Sequence, residues 1–170
     1  MHEQKKYGII VGRFQPLHRA HELLISEILL DDRTPVVFIG SIDKHDERNP
    51  LTYVDRMRII KEVFPKRIRT FGIKDIGEND EEWFAQIHNH MTFLGAEPKD
   101  TPIFFYGKQD DHNWTHEGRK LGYPVRRPQI MDYYNEFDIC GSDIRADMEN
   151  NKMYLHPYTY EYLKMMELLS

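Results

Sequence analysis

The sequence predicts an α/β fold in which a parallel sheet is covered by helices on both faces. Strand-like and helix-like segments alternate along the chain, which is typical of parallel sheets. Residues 7–11 and 35–40 are apolar at successive positions, as expected of strands buried on both faces. The 170 residues suffice for one compact domain with a sizeable core, so we expect a single domain over residues 1–170.

Five strands are predicted. They cover residues 7–11, 35–40, 67–73, 103–106 and 123–127. The first two are the most apolar, the third is more polar, and the fifth is short.

The helices are predicted from apolar spacing and from start and stop residues. Residues 20–30 carry apolar side chains on one helical face. A second helix begins at Thr52, with Asp55 as its capping-box partner, and ends at Pro65. The other helices are predicted to begin near Asn79 or Asp80 and stop at Gly95, to run from an N-cap at Ser142 through Met148, and to run from about Pro157 to Leu169. The tyrosines and methionines of the last helix suit the core or a contact with a second copy of the chain, which would make a homo-oligomer.

Composition argues against several classes of protein. The net charge of −5 disfavours a general nucleic-acid binder, because such proteins carry a basic surface that displaces counterions. No apolar run approaches the ~20 residues of a membrane span, and residues 1–6 lack the apolar core of a signal peptide. Cys140 is the only cysteine, so no internal disulfide can form. We therefore expect a cytoplasmic protein that binds neither nucleic acid nor membrane.

The strongest functional signal is the run from Gly12 to His21, where the first strand leads into the first helix. Free backbone N–H groups and the positive end of the helix dipole favour a phosphate there. Arg13 can add a bidentate pair of hydrogen bonds, and His18 and His21 lie on one side of the helix entrance. These groups predict a polyphosphate site, although the familiar G-x-x-x-x-G-K-[ST] and G-x-G-x-x-G loops are absent from the sequence.

Polar clusters follow several of the predicted strands. They lie at residues 12–21, 41–50, 107–112 and 141–145. Because ligands of open parallel sheets bind beyond the carboxyl ends of the strands, we expect the four clusters to meet at that edge.

Two of these clusters resemble the paired signatures of the nucleotidylyltransferase superfamily. Residues 12–21 resemble its early H-x-G-H motif, and residues 141–145 resemble its late S-G-T-x-x-R motif. The first, G-R-F-Q-P-L-H-R-A-H, is similar to the form of archaeal-type nicotinamide-mononucleotide adenylyltransferases. The N-D-x-x-W element at residues 79–83 resembles the adenylyltransferase half of bifunctional enzymes with a Nudix domain. The resemblance covers most of the chain, from about residue 7 to about residue 148.

The resemblance implies a Rossmann-like nucleotidylyltransferase fold and one reaction. The 5′-phosphate of nicotinamide mononucleotide (NMN) attacks the α-phosphorus of ATP in line, giving NAD and pyrophosphate. This nucleophile is already anionic at neutral pH, so catalysis needs positioning and charge stabilisation rather than a side-chain base. Mg²⁺ is expected on ATP, held mainly by phosphate oxygens and water, so no metal ligands are predicted in the protein.

The resemblance also implies the roles of individual residues. The predicted catalytic residues are His18, His21, Arg13 and Arg145. The predicted ATP-binding residues are Gly12, Arg13, Phe14, Gln15, His18, His21, Lys108, Gly141, Ser142 and Arg145. The residues predicted to bind the acceptor nucleotide are Ser41, Arg48, Asn79, Asp80 and Trp83.

Two positions depart from the family pattern. Ala20 stands where glycine is usual, which places a methyl group where adenosine approaches the helix. Ser142 stands where threonine is commoner and keeps the hydroxyl.

Plainer interpretations are open for several site residues. His18 and His21 could be zinc ligands, although no cysteine pair or H-E-x-x-H motif supports this. Trp83 could pack in the core, and Arg48 could be an ordinary loop residue.

Residues 140–145 have plainer interpretations too. Arg145 could pair with Asp143 or Glu149, although a cation in the first helical turn favours an anionic ligand. Cys140 is most simply a small buried side chain beside the site.

Two other functions are open. The chain could adenylylate or cytidylylate another phosphate, such as a pantetheine phosphate or flavin mononucleotide. It could also be a nucleotide-sensing domain without turnover.

Overall fold

The computed structural model describes residues 5–65, 67–105, 113–129 and 139–166. Within these ranges five strands form one parallel sheet in the order β3-β2-β1-β4-β5. The strands are β1 Tyr7–Gly12, β2 Thr34–Ile39, β3 Arg69–Gly72, β4 Ile103–Phe104 and β5 Val125–Arg126. The order reverses between β1 and β4, and this switch point is where open α/β sheets form their ligand crevice.

Helices connect the strands and cover both faces of the sheet. They are α1 Arg19–Leu30, α2 Tyr53–Val63, α3 Asp80–Phe93, α4 Asn113–Lys120, α5 Gly141–Ala146, α6 Met148–Asn151 and α7 Pro157–Met165. Among the residues described, no helix is both long and apolar enough to span a bilayer.

Alternating strand residues build two apolar layers, one on each face of the sheet. Ile10 and Val37 point into the layer formed with α1, α2 and α7. Their neighbours Ile9 and Val36 point into the layer formed with α3. Successive side chains of a strand point to opposite faces, so strands covered on both sides must be apolar throughout. The predicted α/β fold, with helices on both faces of a parallel sheet, is confirmed.

Local sequence fixes the ends of the helices that bear on the site. Asp55 N donates to Thr52 Oγ1 at 3.2 Å, and Thr52 N donates to Asp55 Oδ2 at 2.9 Å. This capping box starts α2 as predicted. Asn79 Oδ1 caps α3 by accepting from Glu82 N at 2.9 Å. Gly95, at a φ of +71°, follows the end of α3 in the left-handed region that glycine tolerates best.

The structure differs from the prediction in four places. The prediction missed α4 altogether, and the single helix predicted through Met148 is divided at Asp147 into α5 and α6. The cap of α5 is Cys140 rather than Ser142, because Asp143 Oδ2 accepts from Cys140 N at 3.1 Å and so begins the helix earlier. Strands β3, β4 and β5 are shorter than predicted, and residue 106 at the predicted end of β4 lies outside the described residues, as does residue 169 of the last helix.

Candidate active site

Two stacked imidazoles stand where β1 passes into α1. His18 is the N-cap of α1, and its ring centroid lies 3.9 Å from that of His21. His18 N donates to His21 Nδ1 at 3.4 Å, and the Phe14 ring lies 4.6 Å from the His21 ring. Phe14 is buried in the core, so both imidazoles rest on a fixed support.

Burial keeps both imidazoles uncharged. Burial lowers the pKa of His18 to about 4, although the Asp143 carboxylate opposes this shift. Burial, and then the neighbouring His18, lower the pKa of His21 well below its ordinary value. Each ring is therefore neutral at pH 7 and carries one N–H for donation. His18 Nδ1 is buried and has no hydrogen-bond partner in the described part of the chain.

The late motif docks directly on the loop after β1. Arg145 Nη1 donates to the Gln15 carbonyl oxygen at 2.6 Å. A Cβ at Gly141 would lie 2.7 Å from the same oxygen, so only glycine permits this approach. Segments 130 residues apart in sequence therefore meet at the switch point, as the sequence predicted.

Three guanidinium groups share this end of the site. Burial lowers the pKa of Arg145, and the positive charges of Arg13 and Arg48 lower it further, against a smaller opposing effect of Cys140. Arg13 and Arg48 are exposed, and Arg145 is half-buried. Like charges that destabilise one another in an open cleft are stabilised by an anion.

Arg56, to which the sequence analysis gave no role, holds the carboxyl ends of β1 and β2 together. Its side chain is only 1% exposed. Nη1 donates to the carbonyl oxygens of Arg13 at 2.8 Å and Gly40 at 2.7 Å. Burial lowers the pKa of Arg56 to about 10, so it stays protonated at neutral pH.

The side chain of Gln15 fixes the same loop from the other side. Its Nε2 donates to the Leu51 carbonyl oxygen, and its Oε1 accepts from Leu51 N, each at 2.9 Å. Gln15 is 4% exposed, and both polar atoms of its carboxamide are bonded to Leu51. The ATP contact predicted for Gln15 would therefore have to come from its backbone.

A groove begins beside the cations. Ser41 Oγ donates to Asp75 Oδ2 at 2.8 Å, and Lys44 Nζ lies 2.7 Å from the same oxygen. Burial raises the pKa of Asp75, but the hydrogen bonds from Lys44 and Ser41 and the positive charges of Lys44 and Arg13 together lower it below its ordinary value. The groove has a volume of about 320 Å³. It is lined by Asp75, Ile76, Gly77, Glu78, Asn79, Asp80, Trp83 and Trp114.

The structure thus brings the predicted ATP and acceptor residues to adjoining parts of one edge. Asn79, Asp80 and Trp83 line the groove, and Ser41 links it to the cations. Trp83 is half-buried, packs against the core and lines the groove. Its role in binding the acceptor stays a prediction. Lys108 and the polar cluster at residues 107–112 lie outside the described residues.

The structure bears on the plainer interpretations of residues 140–145. Cys140 is exposed rather than buried, with Sγ 2.8 Å from Ser142 Oγ. Arg145 donates to the Gln15 carbonyl, while Glu149 accepts from the Tyr160 hydroxyl at 2.6 Å. Among the described residues no three His, Cys, Asp or Glu side chains are placed to hold a metal ion together.

Known proteins are related to this chain in sequence and in fold. The family model described as Cytidylyltransferase-like matches residues 9–147. A relative from Methanococcus aeolicus, named nicotinamide-nucleotide adenylyltransferase, is 31% identical over 155 residues, which are 88% of this chain and 81% of the relative.

Solved structures show the same fold. A bifunctional NMN adenylyltransferase/ADP ribose pyrophosphatase from Francisella tularensis superimposes with a TM-score of 0.74 at 17% identity. The match covers 95% of this chain and 49% of that one, so this chain spans about half the length of the bifunctional protein. A second structure of that protein, with AMP and a manganese ion, gives a TM-score of 0.72 at 17% identity and covers 96% of this chain and 49% of that one. The predicted Rossmann-like nucleotidylyltransferase fold is confirmed. The chain belongs to the cytidylyltransferase-like family and, within it, to the nicotinamide-nucleotide adenylyltransferases.

Proposed function

We propose that this chain transfers AMP from ATP to nicotinamide mononucleotide, giving NAD and pyrophosphate. The observation that carries the proposal is the meeting of three guanidinium groups and two neutral imidazoles beside an aromatic groove. One end of such a site suits a triphosphate, and the other suits a flat heterocycle. The relationship to enzymes named for this reaction supports the same conclusion.

At the cationic end, ATP binds through its phosphates. Arg13 and Arg145 pair with phosphate oxygens, and neutral His18 and His21 donate N–H groups to them. Ser142 and the backbone of Gly12 and Gly141 complete the predicted ATP contacts, and Lys108 stays a prediction.

The reaction is an in-line displacement at the α-phosphorus. An oxygen of the NMN phosphate forms the new P–O bond, while the bond to the bridging oxygen of the β-phosphate breaks. The electron pair of that bond leaves with pyrophosphate. No proton has to be removed from the nucleophile, so His21 and Arg145 serve to stabilise the charge that develops on the transferring and departing phosphates.

The acceptor occupies the groove. Arg48 pairs with the NMN phosphate, Ser41 and Asp75 lie between the two nucleotides, and Trp83 offers a ring face to the base. Arg56 and Gln15 act indirectly: Arg56 donates to the backbone carbonyls of Arg13 and Ser41, and Gln15 ties the loop after β1 to Leu51.

A divalent metal, Mg²⁺ by prediction, would neutralise part of the triphosphate charge. The donors at the cationic end are guanidinium and imidazole groups, which do not suit Mg²⁺. Phosphate oxygens and water would therefore hold the metal. A structure of the Francisella tularensis protein contains AMP and a manganese ion, which supports a role for a divalent metal.

Product identification tests the proposal. Purified protein is incubated with ATP, Mg²⁺ and one acceptor at a time: NMN, pantetheine phosphate or flavin mononucleotide. Mass spectrometry should find NAD and pyrophosphate with NMN and no comparable product with the others. An adenylylated product from another acceptor would reassign the substrate. ATP binding without any product would favour the nucleotide-sensing alternative.

A further inference from the structure

Trp114 is the second aromatic wall of the groove. It lies on α4, the helix that the sequence analysis missed, and neither the motifs nor the family resemblance gave it a role. Its ring stacks on Phe84 at a centroid distance of 6.4 Å and meets the edge of Phe105 at 5.6 Å. Because core rings hold it on two sides, its orientation is fixed before any ligand arrives.

Trp83 and Trp114 form a corner in the groove. Their ring centroids lie 5.7 Å apart and their planes are inclined by 56°. This separation is too small for a third ring to enter between them, so a flat ligand must stack on one ring and present its edge to the other. Positive rings bind well on such electron-rich faces.

The carboxylates of the groove reinforce this preference. Glu78 and Asp80 line the groove with Trp83, and neither has an ion-pair or hydrogen-bond partner among the described residues. Asp75, by contrast, is paired with Lys44 at 2.7 Å. No lysine or arginine of the described chain lines the groove. The base therefore meets unneutralised negative charge, while the phosphate of the same ligand lies towards Arg13 and Arg48.

We propose that Trp114 is a further acceptor-binding residue, and that it acts with Glu78 and Asp80 to select a cationic pyridine ring bearing a neutral amide over one bearing a carboxylate. This rests on the proposed function, since it concerns the acceptor of that reaction. In NMN the glycosylated ring is a pyridinium with an uncharged carboxamide. In nicotinate mononucleotide the same ring carries a carboxylate, which would face two like charges.

Steady-state kinetics test the charge selection. We expect wild-type kcat/KM to be at least about tenfold higher for NMN than for nicotinate mononucleotide, because close like charges are strongly disfavoured. Glu78→Gln and Asp80→Asn should each reduce that ratio by about threefold or more. Glu81→Gln is the matched control, since Glu81 is an exposed carboxylate of the same helical turn outside the groove, and it should leave the ratio unchanged.

The outcomes separate this inference from the proposed function. A wild-type ratio of kcat/KM for the two acceptors near one would overturn the charge selection while adenylyl transfer stands. The same conclusion would follow if Glu78→Gln, Asp80→Asn and Glu81→Gln all had the same ratio. Formation of product from neither acceptor would overturn the proposed function, and the selection with it.

Fluorescence tests Trp114 without relying on activity. The chain contains two tryptophans, so Trp83→Phe leaves Trp114 as the sole indole reporter and keeps an aromatic ring in the groove. NMN should quench the emission of this variant saturably, and AMP alone should not.

Steady-state kinetics test Trp114 in the wild-type background. Trp114→Leu should raise KM for NMN about fivefold, and Trp114→Phe should recover most of that loss. KM for ATP should stay within twofold of the wild-type value in both variants. Absence of saturable quenching, or equal rises in both Michaelis constants, would remove Trp114 from the acceptor site.

Discussion

The imidazoles at the start of α1 are held in a form that donates a hydrogen bond without carrying a charge. Burial drives the pKa of His18 to about 4, and that of His21 well below its ordinary value. Arginines supply the fixed positive charge of the site, so the histidines can serve as oriented donors. The spacing of His18 and His21 was enough to predict that they act together, but their burial depends on Phe14, whose position no spacing rule gives.

Replacing His21 tests the donor role. His21→Ala should lower kcat about a hundredfold or more, because one preorganised donor to developing charge is worth about 3 kcal/mol. Steady-state rates with ATP and NMN provide the measurement. His116→Ala, at an exposed position of α4, should keep normal turnover. A His21→Ala enzyme within a few-fold of wild type would remove this residue from the mechanism.

The stability of the fold should fall as the pH is lowered through the range in which free histidine titrates. Since the pKa of His18 is about 4 in the folded chain and 6.5 ordinarily, the unfolded chain binds more protons between these values. The free energy of unfolding should therefore drop by about 2 kcal/mol from pH 7 to pH 5 through His18 alone. Urea titrations at both pH values measure it. His18→Asn should reduce the drop by that amount, and an unchanged pH dependence would show that His18 titrates normally.

At the scale of secondary-structure elements, α2 is the helix that organises the cationic edge. The capping box at Thr52 was visible in the sequence because its two side chains are three residues apart. The role of Arg56 was not visible, because an arginine within a helix ordinarily faces solvent and only the tertiary packing buries this one.

Arg56→Met should destabilise the protein and impair both substrates. Removing the guanidinium leaves buried carbonyl oxygens of Arg13 and Gly40 without a donor, at a cost of about 2 to 4 kcal/mol. Chemical denaturation measures the loss, and kcat/KM should fall for ATP and for NMN alike. Arg58→Met, at an exposed arginine of the same helix, is the control. Equal stability of the two variants would contradict the role assigned to Arg56.

Helix α4 was not predicted because its sequence lacks the apolar spacing of an amphipathic helix. The face of α4 that packs on the core is formed by Trp114, Thr115 and Gly118, and a single large apolar residue does not produce an apolar stripe. A Cβ at Gly118 would lie 2.7 Å from Ile103 Cδ1, so the helix approaches the sheet through a glycine. The start of α5 was also misplaced. The backbone N–H of Cys140 donates to Asp143 Oδ2, and this bond makes Cys140 the N-cap instead of Ser142.

At the scale of the whole molecule, a chain with a net charge of −5 concentrates positive charge at one edge of its sheet. That convergence was predictable, since parallel strands end at a common edge. The strand order, and hence the pairing of residue 15 with residue 145, depends on long-range packing that motif spacing does not encode.

Binding of ATP should weaken as salt is added. Arg13 is exposed, so salt screens its attraction for the triphosphate. KM for ATP should rise about threefold to tenfold between about 50 and 300 mM KCl at constant free Mg²⁺. Arg13→Gln should reduce the slope of KM for ATP against salt, whereas Arg67→Gln, at an exposed arginine just before the start of β3, should not. A KM for ATP that does not respond to salt would contradict an exposed cationic site.

The most direct measurement is a crystal structure of the protein with NMN and a non-hydrolysable ATP analogue. Side chains from residues 13–21 and from Arg145 should lie within about 3.2 Å of oxygens of the same triphosphate. The pyridinium ring should rest in the corner of Trp83 and Trp114. A triphosphate bound to His21 but out of reach of Arg145, or a base bound outside that groove, would contradict the account.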